Sequence, residues 1–152
     1  MVKKKIGADT PKRLYLVMIA LLSISFACAP PPVVKDKPGP RIQGLNLTGD
    51  WYSPEFGIME LKQDGIAVSG KYEDEYSRDR NGHFRGLIKG DILRIEWIQP
   101  GNPNAAVMPK KGRAWLRILQ RGKKLSGEWG YDQDQYNGGV WTATRSNASD
   151  TR

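Results

Sequence analysis

The segment Ile66-Ala67-Val68-Ser69-Gly70-Lys71-Tyr72-Glu73 decides the fold. Its residues alternate: Ile66, Val68, Gly70 and Tyr72 share one face, and Ala67, Ser69, Lys71 and Glu73 the other. A period of two is that of a strand, and a dry face backed by a wet one belongs to antiparallel sheets. The same alternation continues on both sides. Upstream, Gly57–Gln63 aligns Met59 with Leu61, and Leu47–Ser53 aligns Leu47, Gly49 and Trp51. Downstream, His83–Lys89 aligns Phe84, Gly86 and Ile88, Ile92–Ile98 aligns Leu93, Ile95 and Trp97, and Arg113–Leu119 aligns Ala114, Leu116 and Ile118. A seventh strand carries Leu125, Gly127, Trp129 and Tyr131, and an eighth carries Trp141, Ala143 and Arg145. Eight short strands remove both sheet edges by closing on themselves. The expected fold is all-β, an eight-stranded antiparallel up-and-down barrel over residues 44–146.

The connections set the polarity of that barrel. Those after strands two, four and six are tight: Asp64-Gly65, Gly90-Asp91 and Arg121-Gly122-Lys123. Those after strands one, three, five and seven are longer: Pro54-Glu55-Phe56, Asp74–Gly82, Gln99–Gly112 and Asp132–Gly138. In a meander all odd connections gather at one end, so one end is cinched and the other is ringed by loops. Mouths of small barrels hold ligands, and loops on a rigid scaffold carry binding residues.

Composition narrows the chemistry. The chain has 152 residues, 24 Lys+Arg, 16 Asp+Glu, one His and one Cys. A single Cys excludes an intramolecular disulfide and a Cys-rich zinc site, and a single His excludes a multi-histidine metal centre. His83 alternates outward with no Ser or Cys partner nearby in sequence, so no nucleophilic triad is expected and no enzyme activity is assigned. Asp132-x-Asp134 followed by Asn137-Gly138 hints at a calcium loop, but Tyr136 stands where an oxygen ligand is needed. No metal and no cofactor are expected.

The first 27 residues read as a signal peptide. Lys3, Lys4, Lys5, Lys12 and Arg13 precede an uncharged apolar run, Leu14 to Ala27. A membrane-spanning helix needs about 20 apolar residues, so this run is too short to be one. Ile24-Ser25-Phe26-Ala27-Cys28 resembles the lipobox of bacterial lipoproteins. The resemblance implies a diacylglyceryl group on the Cys28 sulfur, cleavage before it and acylation of the new amino group. Several acyl chains would hold the protein on a bilayer permanently. Ala29 follows the Cys where Asp would resemble an inner-membrane retention signal, so the outer membrane is favoured in an organism with two membranes. Beyond residue 27 the chain carries 19 basic and 15 acidic residues, too mild an excess to imply nucleic acid. Residues 28–43 hold Pro30, Pro31, Pro32, Pro38 and Pro40 and read as an extended spacer. Residues 147–152 form a tail. Strand one starts at the cinched end, so the tether is expected there, with the mouth facing away from the membrane.

Gly49-Asp50-Trp51-Tyr52, Gly70-Lys71-Tyr72 and the later Trp97, Trp129 and Trp141 resemble the layout of avidin and streptavidin over Gly44 to Arg145. The resemblance implies that Ser53 and Tyr72 match ligand-polar groups and that Trp97, Trp129 and Trp141 match aromatic walls. The polar shell departs from the family pattern. Asp74 stands where a hydroxyl is expected, Arg113-Ala114-Trp115-Leu116 replaces a Ser/Thr pair, and no Asp follows Trp141 at the matching spacing. A site built on hydrogen bonds does not tolerate such losses, so biotin is not the expected ligand. Gly-x-Trp on strand one with an Arg on the last strand also resembles the closed end of lipocalins, implying that Trp51 plugs the floor and Arg145 crosses its ring.

Ser53, Tyr72, Trp97, Trp129, Tyr131 and Trp141 are therefore the candidate ligand residues, and Tyr72, Trp97, Trp129 and Tyr131 stand either as core or as ligand wall. Trp115 alternates outward between Arg113 and Arg117, either as an exposed contact or shielded by the fifth loop. Two functions follow: a lipid-anchored envelope protein binding a small, partly apolar ligand at its mouth, or a protein-interaction or inhibitor module using the loop ring and Trp115.

Overall fold

A computed structural model describes residues 35–146, which belong to one compact unit. The signal peptide, Cys28 and the tail from residue 147 lie outside the described residues. The strands are β1 (Gly49–Ser53), β2 (Gly57–Asp64), β3 (Ala67–Glu73), β4 (Gly82–Lys89), β5 (Ile92–Gln99), β6 (Lys110–Leu119), β7 (Lys124–Tyr131) and β8 (Gly139–Arg145). Each pairs antiparallel with the next, and β8 pairs with β1, so the sheet is a closed eight-stranded meander barrel.

The interior is filled by rings set against glycines. Across neighbouring strands Phe84 faces Gly70, Tyr72 faces Gly82, Trp97 faces Gly112, Trp141 faces Gly127 and Trp129 faces Gly139. A small barrel has little width inside, so a large ring fits where the opposite residue has no side chain. A Cβ at Gly112 would come within 2.6 Å of the Trp97 ring, and one at Gly82 within 2.3 Å of the Tyr72 hydroxyl. The alternation read in the sequence is thus a ring–gap code between strands.

The closing seam is the weakest ladder, because β1 is short. Only Trp51–Arg145 and Tyr52–Thr144 are in register across it. Ser146 N–H extends it at one end, donating to Asp50 O at 2.9 Å. At the other end the Glu55 carboxylate takes over, accepting from Thr142 N–H at 3.1 Å and from the Thr142 hydroxyl at 3.0 Å. A side chain completes the cylinder where the β1 backbone has turned away.

The cinched end is sealed from below. Strand one begins at Gly49, two residues later than the alternation suggested, because Leu47 is floor rather than wall. Leu47 is fully buried, its N–H donates to Gln63 Oε1 at 2.8 Å and its carbonyl accepts from Trp51 Nε1 at 3.0 Å. The Arg145 guanidinium lies 5.2 Å from the centre of the Trp51 ring and donates to Asn46 O. Ile66 also differs from expectation. It sits in the β2–β3 turn, 56% exposed, because the Asp64–Ala67 pair closes the hairpin before it.

Residues 35–39 run along the outer wall as a strap. Arg117 donates to the carbonyls of Lys35 and Lys37 at 3.1 and 3.0 Å, and Arg94 donates to Asp36 Oδ2 at 2.8 Å. Lys35 Nζ pairs with Glu128 at 3.1 Å, and Gly39 N–H donates to Asp91, which also pairs with Arg117. Trp115 stands between Arg94 and Glu128 in cross-strand register, and both of these neighbours bond to the strap. It points outward as the alternation requires, but it is 6% exposed, which corrects the reading of Trp115 as an exposed contact. The first described residue, Lys35, therefore lies against the outer wall beside Glu128 and not at the cinched end.

Candidate functional site at the looped mouth

Two tiers of rings occupy the looped end. In the deeper tier, Trp141 and Tyr72 are fully enclosed at 0% and 1% exposure, with ring centres 6.1 Å apart. Phe84 meets Trp141 edge-on at 6.0 Å. In the outer tier, Trp129 touches Trp97 at 5.5 Å and Tyr131 at 5.1 Å, and Trp97 touches Tyr131 at 5.7 Å. Trp97 is buried and donates from Nε1 to Gly130 O at 3.2 Å. Trp129 is half-buried, and Tyr131 is 39% exposed. The contacts are mostly edge-to-face, the arrangement the ring quadrupole favours.

Phe56 joins the tiers from a connection that the alternation does not count as core. It enters from the β1–β2 connection and lies 4.3 Å from Trp141 and 5.3 Å from both Tyr72 and Trp129. The available signal was an aromatic residue directly before Gly57, whose φ of +76° turns the chain at once into β2. Ser53 is buried beside it, donating to Glu55 at 3.0 Å and accepting from Phe56 N–H at 3.3 Å. Its hydroxyl therefore shapes the β1–β2 turn.

Two donors in the deeper tier have no partner: the Tyr72 hydroxyl and Trp141 Nε1. A buried polar group without a hydrogen bond costs about 1–3 kcal/mol. Gln99 approaches Tyr72 but commits its amide to Arg80 O at 2.9 Å. Burial holds the Tyr72 hydroxyl far above the ordinary phenol range, outweighing the opposing pull of Gln99 and Arg80.

The loops are cross-braced. Asn102 Nδ2 donates to Asp79 at 2.9 Å, tying the β5–β6 loop to the β3–β4 loop, and Arg80 pairs with Asp74 at 3.2 Å. In the β7–β8 loop the oxygens of Asp134 and Asn137 serve the backbone instead of a calcium ion. Asp134 accepts from Tyr136 N–H at 2.7 Å and Asn137 from Tyr131 N–H at 2.8 Å. Among the described residues no three His, Cys, Asp or Glu side chains gather as a metal cluster. An open groove of about 720 Å³ lies on the outer wall, lined by polar residues including Glu60, Lys71, His83 and Glu96. The mouth and the wall grooves are thus separate features.

Fold and site together define a closed eight-stranded meander barrel with a sealed floor and an aromatic mouth. Comparison with protein-family models, curated proteins and solved structures gives no match to this chain.

Proposed function

We propose that this protein is a lipid-anchored envelope protein of a bacterium whose barrel binds a small, partly apolar ligand at the looped mouth. The acylated residue is Cys28, and the compartment is the outer membrane where there is one. The observation that carries the ligand reading is the half-open pair Trp129 and Tyr131, inward-facing rings that reach solvent at one end of an otherwise sealed barrel. A ligand ring lies on their faces, and a ligand acceptor group reaches Tyr72 or Trp141 once Trp129 swings aside. Ser53, Trp97 and Trp141 act behind this surface, holding the tiers in place. The reading assigns binding and no catalytic step. Native mass spectrometry of protein purified from its own membranes tests it, with a retained small molecule lost in Trp129→Ala as the expected result. A clean apo mass in the wild type, with Trp129→Ala unchanged in every respect but stability, refutes it.

A second reading, protein interaction through the loop ring, is favoured by one observation. Tyr76, Met108 and Tyr136 stand on three different loops at 91%, 75% and 51% exposure. Trp115 drops out of this reading because it is covered. Cross-linking from those three positions to an envelope protein, combined with an apo mass, would select it.

A further inference from the structure

The outer wall on the β3–β5 side has a face that neither the barrel interior nor the loops explain. One cross-strand row runs Ala67, Leu87, Arg94, Trp115, Glu128 over five neighbouring strands. The strap bonds to this row at Arg94 and Glu128, on either side of Trp115, and leaves Leu87 at the β3–β4 end exposed. Leu87 there is 58% exposed, and Ile66 beyond the hairpin is 56% exposed. Arg85 and Lys89 flank Leu87 on its own strand, and Arg94 faces it from β5. Arg113 lies one row away, sharing Glu96 with Arg85 at 3.7 Å each. With Lys62 added to these four cations, and Asp36, Asp64 and Glu96 set against them, the patch is still positive.

We propose that this wall docks on the anionic surface of the membrane to which the chain is tethered, with Leu87 and Ile66 entering the headgroup layer and the arginines over it. An apolar tip in a ring of cations is the pattern of an interfacial membrane contact, where each cation adds to attraction by anionic lipid. The partner is argued from where the tether leaves. Arg94 and Arg117 fix Lys35 and Asp36 on this wall, and Cys28 is seven residues from Lys35. Seven residues reach at most about 25 Å, so an anchored Cys28 holds this wall close to the bilayer. The mouth then opens sideways along the membrane. The proposal rests on the reading of Cys28 as the lipid anchor.

Cys28 is the only cysteine, so an introduced one can be labelled alone when Cys28 is acylated. The test uses the full protein with Leu87→Cys or Tyr76→Cys, each carrying a fluorophore, in phosphatidylglycerol vesicles containing a spin-labelled lipid quencher. Intact mass reports acylation separately. The wall label at position 87 should be quenched and the mouth label at position 76 should not. Phosphatidylcholine vesicles, or Arg85→Glu with Arg113→Glu, should lower the docked-to-undocked ratio by about tenfold or more. An acylated protein whose wall label is unquenched, or whose mouth label is quenched instead, overturns the docking and leaves the anchor standing. If the mass shows no acyl group, the labels are repeated with Cys28→Ser. Quenching at position 87 then sustains the docking while the anchor reading falls, and no quenching removes both.

Discussion

Removing the Glu55 carboxylate should loosen the barrel at its seam, and the size of the effect follows from the hydrogen bonds it makes. Glu55 accepts from Ser53 Oγ, Thr142 N–H and Thr142 Oγ1, all between 3.0 and 3.1 Å. A hydrogen bond to a charged group contributes about 1.5–3 kcal/mol net when well shielded. Glu55 is half-buried, so water recovers part of that in the variant. Thr142 N–H is the group that recovers least, because it sits in β8 next to fully buried Trp141. Glu55→Ala should therefore cost about 2–3 kcal/mol, against a total stability on the order of 5–15 kcal/mol for an ordinary domain. At roughly 4 °C per kcal/mol for a domain of this size, the midpoint should fall by roughly 8–12 °C. Urea titration followed by tryptophan fluorescence measures it, and a cycle with Thr142→Val isolates the pair, with an expected coupling of about 1 kcal/mol. Phe56 neighbours Glu55, so the near-UV signal of the deeper tier should weaken before the far-UV signal does. A Glu55→Ala protein within about 0.5 kcal/mol of the wild type, or an additive cycle, would refute the view that this side chain completes the cylinder.

Three further outcomes follow from the same geometry. Tyr72→Phe removes a buried hydroxyl without a partner, so stability in denaturant should hold or rise by up to about 1 kcal/mol, while retention of a mouth ligand should drop if that ligand reaches the hydroxyl. The folded protein keeps Tyr72 protonated above the ordinary value of 10.0, so stability should fall as pH rises past that value. An absorbance titration at alkaline pH should then show one tyrosine ionising only with unfolding. Asp36 has the opposite sign. Its hydrogen bond to Arg94 holds its carboxyl below the ordinary 3.8, so the strap's stabilisation is present above that value and lost as pH falls through the lower folded one. Acid should expose Trp115 to an aqueous quencher before the barrel unfolds, and Asp36→Asn should move that exposure to neutral pH.

The strands were legible because a half-buried strand writes its orientation into every second residue. Val68, Tyr72, Phe84, Ile95 and Leu116 all face inward as the alternation placed them, and each is buried. Trp51 and Arg145 could be paired by resemblance only, since nothing local links positions separated by nearly the whole barrel. Ile66 was misplaced by one residue of turn, the smallest error that moves a side chain from one face to the other. Phe56 and Glu55 were not legible as core and seam, because a loop residue acquires a partner only through tertiary folding. The strap was hidden for the same reason. Proline-rich composition argues for an extended backbone, and in the described residues Asp36 and Lys37 that backbone is bonded to Arg94 and Arg117.

The ring–glycine pairs bear on function as well as on packing. An eight-stranded barrel has room inside for side chains or for one small ligand. Here Gly70, Gly82, Gly112, Gly127 and Gly139 give that room to Phe84, Tyr72, Trp97, Trp141 and Trp129. A ligand therefore competes with a ring for space and must either lie on the outer tier or displace one of its members. Of the five glycine-paired rings Trp129 is the one that is not buried, and it packs on Gly138 beside the β7–β8 loop. That loop is in turn bonded to the strap, because Gln135 donates to Asp36 Oδ2 at 3.2 Å and accepts from Arg94 at 3.2 Å. Release of Asp36 would remove one of the few contacts that fix the loop from outside. The β7–β8 loop beside Trp129 is thereby bonded to the same wall that holds the strap.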